Sequence, residues 1–204
     1  MTVFYCIEDE LSRAVAQRLI LECCPAGTRT QELGKAYGGF GYIKKNLSKF
    51  RKLAQRSPVL IITDLDHAEC PPSLRKSWLD SSKIPEPLPD NMMFCIAQTE
   101  IESWLLADTE GISSFLKVST ARLEPNIELS VLDSKEYLVA LAAGSTNASI
   151  RDDLTPDAKS DAATGINYNY RLSQFVSNGW STRGAAGQSV SLNRAIAKLS
   201  ALML

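Results

Sequence analysis

The sequence predicts an α/β fold, a mostly parallel sheet flanked by helices, extended by a mainly helical C-terminal elaboration. Three observations predict it. Short β-branched and apolar runs alternate with stretches of helical periodicity. Residues 59–63 and 92–97 are almost wholly apolar, as strands covered on both faces are. Acidic residues follow each such run, at the strand ends where open α/β folds place their sites.

Residues 3–7 (VFYCI) form the first expected strand, which ends at Glu8-Asp9-Glu10. Leu11, Val15 and Leu19 recur at helical spacing, so a helix follows and stops before Pro25 and Gly27. Gly38, Gly39 and Gly41 predict a flexible loop. Beyond it, Ile43, Leu47, Phe50 and Ala54 mark the apolar face of a helix that Ser57-Pro58 ends. The next strand, 59–63, runs into Asp64-Leu65-Asp66. Residues 70–90 are rich in proline and serine, with a short helix over 74–79, and 92–97 is the third strand. Residues 99–107 predict a helix with Ile101, Trp104 and Leu105 on its apolar face, and Thr99-x-x-Glu102 has the spacing of a capping box. Trp104 and Trp180 read as core.

The region 109–165 is less regular, with a helix over 135–143 and a long polar loop over 145–165. A helix over 172–176 precedes a closing amphipathic helix, in which Leu192, Ala195, Ile196, Leu199, Leu202 and Met203 share a face. Ser189 or Ser191 caps it. The expected organisation is an α/β core over 1–108 with 109–204 packed on it as one continuous domain.

With 204 residues, 45% hydrophobic and 22% charged, the composition is that of a globular chain and excludes disordered and collagen-like classes. No apolar run reaches the roughly 18 residues of a spanning helix. The start, MTVFYCIEDELSR, turns acidic too early for a signal peptide. Five irregularly spaced cysteines then read as reduced thiols, and the expected location is the cytoplasm. The one histidine, His67, excludes a His-rich zinc site, and the pair His67 and Cys70 has no matching second pair. From Leu33 to Thr63 there are seven basic residues and no acidic one. Within it Lys45, Lys49, Lys52 and Arg56 make one helix face, either a solvated surface or a grip on nucleic-acid phosphates.

The chemistry concentrates in carboxylates. Glu8 follows the first strand, Asp64 and Asp66 the second, Glu100 and Glu102 the third. In a parallel sheet these positions share one edge. Alternation along an extended segment turns Asp64 and Asp66 to one side and Leu65 to the other. Crowded carboxylates repel unless a hard divalent cation, Mg2+ or Mn2+, sits among them, and such an ion polarises phosphoryl oxygens and activates water. Asp9 and Glu10 also suit the positive end of the following helix.

Glu8 within YCIEDELS, Asp64-Leu65-Asp66 within ITDLD, and the segment AQTEIESWLLAD from Ala97 to Asp108 together resemble the Toprim domain of topoisomerases, primases and OLD-type nucleases. More narrowly the chain resembles the Toprim-like proteins grouped as DUF4276, through that segment and the pattern around Tyr168, Phe175, Trp180 and Ser189–Leu192. The resemblance covers most of the chain, loosely over 110–165. It implies a Toprim-like, Rossmann-like core and metal-dependent cleavage of nucleic acid, DNA favoured, in prokaryotic genome defence or DNA processing. Glu8, Asp64 and Asp66 would hold the metal, and Glu10, Glu100 and Glu102 would assist. A separate ATPase chain is the implied partner, since no Gly-Lys-Ser/Thr follows the Gly38–Gly41 stretch. The sequence departs from the OLD pattern at Asp9, which replaces a glycine, and at Ser12, which replaces an acid.

Two other readings compete. Residues 4–10 resemble the first strand and acidic pair of a phosphoacceptor receiver, with Asp64 or Asp66 as acceptor and Lys117 as its lysine. A Toprim-like module can also be a non-catalytic scaffold.

Overall fold

A computed structural model describes residues 1–34 and 39–202 of the chain. Lys35, Gly38 and Met203 lie outside them. Four strands form one wholly parallel sheet: β1 (Thr2–Cys6), β2 (Arg29–Glu32), β3 (Val59–Asp64) and β4 (Met92–Ala97), in the order β2-β1-β3-β4. The order reverses direction between β1 and β3. In open α/β sheets such a reversal opens a crevice at the carboxyl ends of the two strands.

The crossovers place α1 (Glu10–Cys23) on one face and α2 (Gly39–Ala54) and α3 (Pro71–Ser81) on the other. Alternate strand residues serve the two faces. Val3, Tyr5, Leu60, Ile62, Met93 and Cys95 join α1 and the C-terminal helices in one apolar cluster. Cys6, Val59, Ile61, Met92 and Phe94 join α2 and α3 in a second. Burying each large aliphatic side chain of β3 stabilises the fold by about 1.5–3 kcal/mol. That double coverage explains why β3 and β4 are legible as apolar runs.

The elaboration consists of α4 (Glu102–Leu106), α5 (Thr109–Leu116), α6 (Ile127–Ser130), α7 (Ser134–Ala143), α8 (Ala148–Leu154), α9 (Tyr168–Asn178), α10 (Thr182–Ala186) and α11 (Val190–Ala201). α1 packs against α9 and α11, and α11 against β4, so the 109–204 region completes the core on that face of the sheet. Trp104 and Trp180 are fully buried, as expected. Their ring N–H groups are satisfied by Ser191 Oγ (2.6 Å) and by the Trp104 carbonyl (3.2 Å). Ser189 caps α11, its Oγ accepting from the Leu192 N–H at 3.0 Å. The Glu128 carboxylate also accepts from the Val190 and Ser191 N–H groups.

Several expectations are corrected. β2 carries the residues Arg-Thr-Gln-Glu and lies exposed at the sheet edge, so no apolar pattern marked it. Gly39 and Gly41 lie in the first turn of α2 and not in a loop. The expected polar loop over 145–165 contains α8, whose N-terminus Asn147 caps through the Ser149 and Ile150 N–H groups. Arg171 holds it to α9 through an ion pair with Asp153. The capping box at Thr99 does not form. Thr99 stands at φ 61° with its hydroxyl on Ser134 Oγ (2.6 Å), and Glu102 points into the core.

Among the described residues, no helix is long and apolar enough to cross a membrane. All five cysteines are free.

Candidate functional site

Glu8 and Asp64 leave adjacent strands at the reversal of the sheet order. Parallel register sets their exits side by side, and the Asp64 N–H donates to Glu8 Oε1 at 3.2 Å. The Thr63 hydroxyl donates to the same oxygen. Burial pushes the Glu8 carboxyl above its ordinary range. The two hydrogen bonds pull it back, and the charges of Asp66 and Asp9 push it up further. Asp64 is raised well above the usual range, first by burial and then by the charges of Glu102, Glu8 and Asp9. Its Oδ1 is buried without a hydrogen-bond partner among the described residues.

The exit of β3 is tied to the exit of β4. The Leu65 N–H donates to the carbonyls of Ala97 (3.1 Å) and Thr99 (2.9 Å), and the Asp66 N–H to Thr99 (3.0 Å). Leu65 is buried, as alternation predicts. Alternation then breaks, because Asp66 turns into the left-handed region (φ 50°) and is exposed. Aspartate is among the few residues that tolerate this conformation.

Beyond β4, Glu100 and Glu102 meet Lys135 at the start of α7. Lys135 Nζ lies 3.0 Å from Glu100 Oε1 and 3.8 Å from Glu102 Oε1, while its backbone N–H donates to Glu100 Oε2 at 2.8 Å. Glu102 is only 1% exposed, accepts from the Tyr168 hydroxyl at 3.0 Å, and leaves Oε2 buried without a partner among the described residues. Burial pushes its carboxyl up to about 7 against the pull of Lys135. Burial lowers Lys135, but Glu102 and Glu100 outweigh it and the ammonium is held above its ordinary range. Tyr168 is raised by burial and by Glu102, so it remains a donor.

The structure thus brings Glu8, Asp64, Asp66, Glu100 and Glu102 to one edge. Glu10 opens α1 two residues beyond Glu8, in the first turn of the helix that Asp9 caps. Asp9 caps α1 through the Ser12 N–H (2.8 Å), which also accounts for the buried Ser12. Lys45, Lys49 and Lys52 are exposed along α2, and Arg56 is exposed in the turn just beyond it. Lys117 ends α5 in a left-handed turn, and among the described residues no hydrogen bond or ion pair joins it to Asp64. Lys135 stands by the acids instead. Neither Lys135 nor Tyr168 was singled out for the site from sequence. Lys135 follows Glu102 by more than thirty residues, and no spacing rule links them. The one available clue was that a buried acid pair calls for a cation.

The donor set is entirely hard carboxylate oxygen, which suits Mg2+ or Mn2+. An orphaned buried oxygen costs about 1–3 kcal/mol, and Asp64 Oδ1 and Glu102 Oε2 are both of this kind. A cation or a proton would relieve them, so the residues fit a divalent ion. As placed, no three His, Cys, Asp or Glu side chains among the described residues converge closely enough to hold one. A bound ion would require the carboxylates to draw closer together.

No protein-family profile matches the chain, and no curated protein does. The DUF4276 grouping therefore draws no support. Among solved structures, the C-terminal region of the Burkholderia pseudomallei OLD protein is similar, with a TM-score of 0.54 and 10% identity over 99% of this chain and 98% of that one. At that identity the likeness is one of fold. Together with the parallel four-stranded sheet, it makes this an α/β Toprim-like fold.

Proposed function

We propose that the chain is a Mg2+- or Mn2+-dependent nucleic-acid phosphodiesterase of the Toprim-like kind, acting on DNA in genome defence or DNA processing beside a separate ATPase chain. The observation that carries the proposal is the joined pair Glu8 and Asp64 at the switch point of the sheet, with Asp64 Oδ1 buried and unpartnered. Glu8, Asp64 and Asp66 hold the metal in this reading. When bound, the ion supplies Lewis acidity that neutralises charge on the phosphoryl oxygens.

The chain's own groups do the rest. Thr63 orients Glu8 and leaves its second oxygen free to bind. Lys135 places Glu100 and Glu102 and offsets their charge. Glu102, raised to about 7, is poised to accept a proton near neutral pH. The basic face of α2 attracts the phosphate backbone without reading sequence.

The test is cleavage of plasmid DNA and single-stranded RNA by the purified chain with Mg2+ or Mn2+, beside Asp64→Ala with Asp66→Ala. Loss of cleavage in a variant with an unchanged melting curve supports the assignment. Cleavage that persists in that variant sinks it.

A second reading, a non-catalytic Toprim-like scaffold, is favoured by the lack of three converging ligands among the described residues. Calorimetry discriminates, because a scaffold shows no Mn2+ binding that Glu8→Gln removes.

A further inference from the structure

We propose that the free edge of β4 is a docking groove for an extended acidic peptide from a partner chain, which joins the sheet as a fifth strand. The observation is independent of the carboxylate site.

β4 is an edge strand, and the register fixes which of its backbone groups point outward. The carbonyls of Asn91 and Ala97 accept from Val59 and Leu65, so the odd-numbered residues face β3. The even-numbered ones face away. Of these outward groups, the Phe94 carbonyl takes Lys198 Nζ at 3.2 Å and the Gln98 N–H reaches Ser191 Oγ at 3.3 Å. The Phe94 N–H and both backbone groups of Ile96 have no partner among the described residues. The Met92 N–H is taken by the Pro89 carbonyl, so the open stretch is centred on Phe94 and Ile96, and unpaired edge groups of this kind are a template for another strand.

A cavity of about 720 Å3 lies along this edge, walled by α3 on one side of the sheet and α11 on the other. Its α3 wall presents Pro71, Pro72 and Leu79 together with Arg75, Lys76 and Asp80, and Pro85 lies just beyond the helix. Its α11 wall presents Arg194 and Lys198. Arg194, Lys198 and the nearby Lys76 make no ion pair among the described residues, whereas Arg75 is neutralised by Glu86 (2.9 Å) and the Glu128 carboxylate is consumed in capping α11. Asp80 is the remaining acid in the lining. Cations in excess at the end of an apolar slot select a negative side chain. Side chains of an added strand alternate between the two walls. On α3, Lys76 stands with Asp80 and Arg75 with Glu86, so the uncompensated cations are Arg194 and Lys198, and the occupant carries its acidic residues toward α11. Stacking aromatics, which a nucleic-acid strand uses, do not line the walls apart from the buried Phe94. Exposed Val190 extends the apolar lining of the groove. Peptide addition to a sheet edge draws affinity from the main chain and specificity from alternate side chains.

The experiment uses the full chain, isotope-labelled, and three heptapeptides: alternating Val and Glu, the same peptide with alternate amides N-methylated, and alternating Val and Lys. Amide hydrogen exchange is the readout. The Val/Glu peptide is expected to slow exchange at Phe94 and Ile96 at least tenfold and to leave Met93 and Cys95 unchanged. N-methylation removes the effect, and the Val/Lys peptide binds at least tenfold more weakly. Arg194→Glu reverses that charge preference while core amides keep their protection. The proposal is overturned if millimolar Val/Glu peptide leaves Phe94 and Ile96 unaffected, or if the N-methylated peptide protects equally. It is equally overturned if a single-stranded oligonucleotide protects them in place of the peptide. Protection already present in a peptide-free chain that sediments as a dimer would give the edge to a second copy instead.

Discussion

The Asp66 N–H donates to the Thr99 carbonyl at 3.0 Å, and both residues hold positive φ, 50° and 61°. The bond locks the exit of β3 to the exit of β4. Threonine at positive φ is a strained conformer, and strain of about 1–3 kcal/mol persists where surrounding structure enforces it. Here it fixes the segment that carries Asp66 and Glu100.

Asp66→Gly relieves the left-handed backbone and removes one charge beside Glu8. The metal-free variant is expected to melt at or above the wild-type temperature, with a gain of up to about 1 kcal/mol. Its Mn2+ affinity falls at least tenfold. Calorimetry and thermal melting check both. Lower stability with unchanged affinity would remove Asp66 from the site.

The raised carboxyls make metal-free stability depend on pH. The folded values of Glu8, Asp64 and Glu102 all lie above their unfolded values. Groups shifted this way contribute stability that is complete below the unfolded values near 4 and is lost as pH rises through the folded ones, about 7 for Glu102. Lys135 stays charged through this window and adds no slope. Metal-free protein is therefore expected to lose melting temperature between pH 5 and pH 8, with Glu102 alone contributing on the order of 3 kcal/mol. Millimolar Mn2+ flattens the loss. A flat metal-free profile contradicts the burial of these acids.

Lys135→Met removes the cation that Glu100 and Glu102 share. Stranding a buried charge costs about 3–5 kcal/mol unless it takes up a proton. The variant is expected to be destabilised at pH 8 and much less at pH 5.5, where Glu102 protonates. Urea unfolding at both pH values measures the difference. An equal cost at both leaves Lys135 with a packing role alone.

Tyr168→Phe deletes the one hydrogen bond to Glu102 Oε1. A loss of about 1–3 kcal/mol is expected from the stranded acceptor. Denaturant unfolding checks it.

Replacing Lys45, Lys49 and Lys52 by Gln tests the α2 face. If each contacts a phosphate of double-stranded DNA, the slope of log affinity against log salt falls by about 0.9 per lysine. An unchanged slope, measured by fluorescence anisotropy, assigns the stripe to solvent.

Most of the α/β core was legible in the sequence, because β1, β3 and β4 are buried and their apolar runs say so. β2 was not, since an exposed edge strand of Arg-Thr-Gln-Glu carries no burial pattern. α8 was missed because its start depends on Asn147 as a cap and on Arg171, which lies seventeen residues past the helix. The positions of Glu8, Asp64, Glu100 and Glu102 at strand ends followed from sequence alone, since parallel strands align their carboxyl ends on one edge. Which acids meet, which are buried and what offsets them was decided only by tertiary structure. Lys135 and Tyr168 reach Glu102 across the packed C-terminal helices, and burial, which no local pattern encodes, sets the protonation of the site. The same holds for the β4 groove, which lies between α3 and α11 along an edge that strand order left open.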